Sequence, residues 1–223
     1  MLVREAKWFA RQIRELGDDA LFPMVNVGSH TEQFRAHEQP WIDRHIYAPI
    51  RARGRKVVHL DIKAAPGVDL IGDLTDPDFL AEVETMQFRG AFCANLMEHV
   101  PNRAEIGRAV VGAVQPGGYL LVSCPNVFPY HPDPIDTMFR PGVAEMAELF
   151  PGTTVVRGEK LACGTLATYL FARFASDPLA LGRMLTRRKA QTVKQTEQGL
   201  SARQWVPWLW RTFYQTCVVL KKG

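Results

Sequence analysis

The stretch Lys56–Thr75, KVVHLDIKAAPGVDLIGDLT, sets the tightest limit on what this chain can become. It reads as two short strands, each delivering one carboxylate. Asp61 follows Val57-Val58-His59-Leu60, and Asp73 follows Val68-Asp69-Leu70-Ile71-Gly72. Short apolar runs bounded by Gly and Pro suit strands buried in a parallel sheet. A carboxylate at the end of such a strand faces the crevice where open α/β sheets bind ligands, and it can accept from both hydroxyls of a ribose. The pair implies a nucleoside-binding sheet, with one acid for the sugar and the other facing the base.

The flanking sequence supports a sheet of this kind. Leu2, Ala6, Phe9, Ile13 and Leu16 mark one face of an N-terminal helix ended by Gly17. Leu21–Val27 reads as the first strand, with Pro23 at its start, and runs into Gly28-Ser29-His30. Thr31–Ile50 is helical or irregular, punctuated by Pro40 and Pro49. Asp76-Pro77 opens a helix with Phe79, Leu80 and Val83 inward, and Gly90–Asn95 is a buried strand. Pro101 opens the next helix, Gln115–Gly118 is a turn, and Tyr119–Ser123 is a strand. Asn126–Pro141, with four prolines, is a loop followed by a short helix. Thr153–Cys163 and Thr216–Leu220 read as closing strands. Strand alternating with helix predicts a parallel sheet with helices on both faces.

A chain of 223 residues makes one domain, or one domain with a large insertion. The net formal charge is +4, unevenly spread: from Thr165 onward ten basic residues face two acidic ones, a local +8 that leaves −4 for the rest. The boundaries expected are a core over residues 1–164, a basic, aromatic helical insertion over 165–211, and a last core strand over 212–223. The basic third suits an anionic partner or a solvated helix. Cys93, Cys124, Cys163 and Cys217 show no CxxC spacing, which fits a reducing cytoplasm and argues against a zinc site. No run reaches the roughly 18 apolar residues of a membrane span. Glu5 and Glu15 argue against reading the N-terminus as a transit peptide.

Gly28, Asp61, Asp73 and Asn95 all fall at strand ends. The loop Gly28-Ser29-His30-Thr31 lacks two of the three glycines of a pyrophosphate loop, so a cofactor without phosphates suits it better than a dinucleotide. Here the chain resembles a known family. Asn26-Val27-Gly28-Ser29, His59-Leu60-Asp61-Ile62 and Pro66–Leu74 are similar to class I S-adenosylmethionine-dependent methyltransferases. Asn95-Leu96-Met97-Glu98-His99-Val100-Pro101 resembles their L-E-H-V segment after strand four, and Gln115–Leu120 their L-x-P-G-G turn. His131–Asp136 with Phe139-Arg140-Pro141 resembles a loop of small bacterial members, with Arg-Phe inverted and a Thr missing.

The resemblance implies a Rossmann-like three-layer sandwich around a mostly parallel seven-stranded sheet with an antiparallel last strand. It also implies S-adenosylmethionine as cofactor and methyl transfer, while none of the motifs specifies the acceptor. The acceptor expected is a small molecule: a sugar, a lipid-linked compound or a secondary-metabolite intermediate. Val27, Gly28 and Ser29 would pass the methionine part, Asp61 would hold the ribose, and Asp73 with Leu74 would face the adenine. Asn95 and Leu96 would line the pocket beneath the sulfonium. His30 departs from the family's second glycine and adds bulk at the methionine end.

The sulfonium is already activated, so the protein mainly aligns the reactants and excludes water. A base is needed only for a weak nucleophile such as a hydroxyl, and His99 and His131 are its candidates. Each also has a structural reading, His99 bonding backbone and His131 pinning the proline loop. Glu98-His99 is similar to a metal-dependent branch of the family. Asn95 stands where that branch has a further acid, and asparagine is a poor replacement, so no metal is assigned. Asp136 and Arg140 have the spacing of an ion pair that holds their loop over the pocket. The cluster Trp205, Trp208, Trp210 with Arg211 suits packing or a homodimer contact better than a peripheral membrane contact. Nucleic acid is a poor fit, since no RNA-binding module is recognisable. The rival to an enzyme is a catalytically silent binding subunit of the same fold.

Overall fold

The structure, a computed structural model, describes residues 1–131, 135–176 and 202–223. Seven strands form one sheet: β1 Met24–Val27, β2 Val57–Asp61, β3 Leu70–Ile71, β4 Phe88–Ala94, β5 Val114–Val127, β6 Thr153–Gly164 and β7 Phe213–Lys222. Their order is β3-β2-β1-β4-β5-β7-β6. The pairings from β3 to β5 are parallel, and β7 runs antiparallel to both β5 and β6. The helices include α1 Val3–Leu16, α2 Asp18–Leu21, α3 Pro40–Ile42, α4 Ala48–Ala52, α5 Pro77–Thr85, α6 Arg103–Gly112, α7 Val143–Glu148, α8 Leu166–Ser176 and α9 Ala202–Trp205.

The two-residue period of the central strands sorts their side chains into two cores. Val25, Ala91, Cys93, Leu120, Val122 and Val218 face α5, α6 and α7, where they meet Val83, Val110 and Met146. Met24, Phe92, Leu121, Cys217 and Val219 face the other way, onto Phe9 and Ile13 of α1 and onto Trp41, Ile46 and Ile50. These strands are apolar on both faces because helices cover both, which is why they read as continuous apolar runs.

Several elements differ from the sequence reading, each for a physical reason. β3 shrinks to two residues because the Asp69 carboxylate, not a backbone carbonyl, accepts the His59 N–H at 2.8 Å. β5 starts earlier than Tyr119: Val114 pairs with Phe88 and Tyr119 with Gly90, so Gln115–Gly118 bulges out of the strand, with Gly117 at φ +78°. The helix expected from Pro101 starts at Arg103. Between β1 and β2 the chain makes two π-helical turns, Phe34–Glu38 and Asp43–Tyr47, on either side of Pro40–Ile42. Most of the basic run after Thr165, from Arg183 to Arg188, Lys189 and Lys194, lies outside the described residues. All four cysteines are free and buried. Among the described residues no helix is long and apolar enough to cross a membrane.

Candidate functional site

The strand order reverses between β1 and β4, and the crevice beyond their carboxyl ends is a cavity of about 850 Å³. Val27, Gly28, Ser29, Asp61, Asp73, Leu74, Asn95, Leu96, His99 and His131 all line it. One wall comes from the tips of β1, β2, β3 and β4. The opposite wall, on the β5–β7 side, comes from Phe128, Leu166, Tyr169, Trp205 and Phe213.

Local geometry fixes the first wall. Gly28 sits at φ +67°, and a Cβ there would lie 3.0 Å from Leu96 Cδ1, so glycine lets the β1 loop close on the β4 loop. Ser29 donates its N–H to the Leu60 carbonyl at 3.0 Å, extending the β1–β2 ladder by one residue. Asp61 accepts the His30 N–H on Oδ2 at 2.8 Å and the Lys63 N–H on Oδ1 at 3.1 Å. Each oxygen keeps a further lone pair for a ligand. Both Thr75 bonds, from N–H at 2.9 Å and from Oγ1 at 2.7 Å, go to Asp73 Oδ1, so Asp73 offers a ligand Oδ2. The His30 ring is exposed and lies tilted against Phe34, 4.1 Å between centroids, where it lines the cavity.

Two buried charged residues that sequence reasoning did not assign hold this wall. The Arg35 guanidinium, 6% exposed, donates to the carbonyls of Ser29, His30 and Gly67, tying the β1 loop to the β2–β3 turn. Burial lowers its pKa from the usual arginine value. Glu5 of α1 is fully buried and accepts from Leu2 N–H at 2.8 Å, Asn95 Nδ2 at 2.8 Å and Ser123 Oγ at 2.6 Å. It fixes Asn95, which stands at φ +55°. Leu2 precedes α1 and also lines the cavity, so the N-terminal helix is part of the site.

His99 and His131 stand between the walls, with ring centroids 5.4 Å apart. His99 Nδ1 pairs with the Ile135 carbonyl, and His131 Nδ1 lies 3.2 Å from the Pro129 carbonyl and 3.1 Å from Asp136 Oδ2. Both structural bonds considered from the sequence are therefore present, and both use Nδ1. Asp136 and Arg140 form the expected ion pair, at 3.0 and 2.6 Å. Burial opposes ionisation of Asp136, yet hydrogen bonds from Arg140, His131 N–H and Met138 N–H outweigh it and hold the carboxyl down at about 2. Burial pushes Glu98 up to about 7 and lowers His131. The tryptophans separate: Trp208 is buried and stacked on Phe213 at 5.3 Å, Trp205 lines the cavity, and Trp210 is 75% exposed.

No family model and no curated protein matches the chain in sequence. Its shape does match solved structures. One is a Galdieria sulphuraria protein assigned as a sarcosine dimethylglycine methyltransferase, at 12% identity over 99% of this chain and 86% of that one, with a TM-score of 0.54. Another is coclaurine N-methyltransferase bound to N-methylheliamine and SAH, at 13% identity over 99% and 70%, with a TM-score of 0.56. A third is the [4+2]-cyclase SpnF, at 11% identity over 99% and 81%, with a TM-score of 0.57. The fold is that of the class I S-adenosylmethionine-dependent methyltransferases. A cyclase among such neighbours means that chemistry has to be argued from the site.

Proposed function

We propose that the chain is an S-adenosylmethionine-dependent methyltransferase acting on a small, largely apolar acceptor. The observation that carries this reading is the convergence of polar strand tips and an aromatic wall on one cavity. The residues fit the cofactor: Gly28 leaves room at the β1 loop, Asp61 keeps lone pairs for two hydroxyls, and Asp73 Oδ2 is available for an amino group.

When bound, S-adenosylmethionine supplies a methyl group already activated by its sulfonium. The chain then has to align and to desolvate. Asp61 and Asp73 fix the nucleoside end, and Arg35 holds the loop that carries Ser29 and His30. Asn95 and Leu96 form the floor under the transfer point, with Asn95 anchored by Glu5. Phe128, Tyr169, Trp205 and Phe213 exclude water and favour a lipid-linked or aromatic secondary-metabolite acceptor over a free sugar. With Nδ1 engaged, His99 and His131 each have Nε2 as the nitrogen that can take a proton from an acceptor hydroxyl.

Incubation of the purified protein with methyl-labelled S-adenosylmethionine and a small-molecule extract tests this. The expected result is label in a small apolar product. Cofactor binding with no labelled product would favour the silent binding subunit instead.

A further inference from the structure

Glu98, His99 and His131 form the one group with metal-ligand chemistry among the described residues, and their ligand atoms lie within 4.8 Å of one another. We propose that these three side chains bind a divalent first-row transition-metal ion in the cavity wall, through Glu98 Oε1 and the Nε2 atoms of the two histidines.

Three observations carry the assignment. The first is an orphan. Glu98 is fully buried, and its Oε1 has no hydrogen-bond partner among the described residues. A buried carboxylate oxygen without a donor is costly. His99 Nε2 lies 3.7 Å from it, too far for a hydrogen bond but suited to two ligands of a common ion.

The second is the state of the rings. His99 donates Nδ1–H to a backbone carbonyl, and His131 does so to a carbonyl or to Asp136. A neutral imidazole that donates from Nδ1 carries its lone pair on Nε2. A carbonyl or carboxylate behind the ring is the support that metal-binding histidines use. Asp136 is itself held by Arg140 and by the His131 N–H at 2.9 Å. Thr137 donates both N–H and Oγ1 to the Glu98 carbonyl at 2.9 Å, which docks the loop after His131 onto the turn that bears Glu98 and His99.

The third is distance and ligand type. Zinc at 2.0–2.1 Å from each atom needs ligand atoms about 3.3 Å apart. The Glu98–His99 pair is close to that at 3.7 Å, and ligand atoms of all three residues lie within 4.8 Å of one another, a span that about 1.5 Å of side-chain rotation closes. Two imidazoles and one carboxylate suit zinc, manganese or iron better than magnesium or calcium. Three protein ligands leave an open position, and His99 and His131 face the cavity, so that position opens toward the acceptor. An acceptor oxygen bound there would lose its proton more readily, and would lose it to solvent at the cavity mouth, because an ion held by both Nε2 atoms leaves neither histidine free as a base; the histidine-base role belongs to the metal-free chain. That last consequence rests on the methyltransferase reading; the ion site itself does not.

The full chain, stripped with a chelator, would be titrated calorimetrically with Zn²⁺, Mn²⁺ and Co²⁺, and cobalt coordination would be read from its visible spectrum. The expected result is one saturable ion per chain and a raised Tm with metal. Glu98→Gln and the double variant His99→Gln/His131→Gln should each lose that site. If Glu98→Gln does not fold, the double variant alone decides. No saturable ion in the wild type, or an ion retained equally by the variants, would overturn the proposal. Titrating the same samples with S-adenosylmethionine keeps the outcomes separate, since cofactor binding that survives without metal leaves the methyltransferase reading standing.

Discussion

The two walls of the cavity are built on different principles. The strand-tip wall is assembled from residues at the tips of adjacent parallel strands; its two acids are fixed by bonds within a few residues or across one strand pair, and Asn95 alone is anchored from a distance, by Glu5 of α1. Asp73 is held by Thr75, and Asp61 by Lys63 and His30. The opposite wall brings together Phe128, Leu166, Tyr169, Trp205 and Phe213, which no short motif unites. A strand-tip wall is set by topology and preserves one ligand shape. A wall of loop and helix aromatics can change by substitution while the sheet stays intact, which is how one fold comes to serve different acceptors.

Glu5 ties Asn95 of the first wall to Leu2, which packs with Phe213 of the other, so its loss should break the comparison most severely. Glu5→Ala removes the acceptor of three donors, two of them buried, at a cost of about 3 kcal/mol, and should lower Tm by roughly 6–12 °C. An unchanged melting curve would mean that α1 does not tie the site together. Next in size are two substitutions that should act on one wall each. Asp61→Asn keeps the shape but loses charge-assisted acceptance, so cofactor affinity should fall about 10–100-fold by calorimetry. Phe128→Ala should leave that affinity alone and raise the acceptor KM. If both variants moved both quantities equally, the two-wall description would fail.

Gly28→Ala sharpens the picture of the first wall. A left-handed backbone at φ +67° costs alanine about 1–2 kcal/mol, and Leu96 must shift by a few tenths of an ångström, so a modest drop in Tm and in cofactor affinity is expected. The smallest effect concerns pH. Burial lowers His59 to about 4, followed by the nearby Arg35 charge, and Asn26 Nδ2 donates to its Nδ1 at 3.1 Å. The unfolded chain therefore binds a proton that the folded chain refuses. His59 contributes stability that is present above its unfolded value near 6.5 and is lost as pH falls toward about 4. His59→Gln should flatten the Tm-against-pH curve in that window, and an equally steep curve would place the titration elsewhere.

Much of the first wall is legible in the sequence because its residues sit beside their strands. Gly28, Asp61, Asp73 and Asn95 directly follow or end an apolar run, and an open parallel sheet gathers such positions. Asp69 shows the limit: a carboxylate can replace a backbone acceptor and shorten a strand, and residue patterns do not record that exchange. Glu5 left a trace, since it lies on the apolar face of α1 beside Leu2, Ala6 and Phe9 where a solvated acid does not belong. Arg35 left none, because an arginine in an irregular stretch reads as surface. His99 and His131 are visible as residues, but the orphaned Glu98 oxygen between β4 and the proline loop exists only once the chain is folded.

Calorimetric titration of the wild-type chain with S-adenosylmethionine tests the central claim most directly. The expected result is one site per chain with micromolar affinity, weakened in Asp61→Asn and unaltered in Phe128→Ala. No heat of binding at millimolar cofactor, or binding that survives Asp61→Asn unchanged, would contradict it.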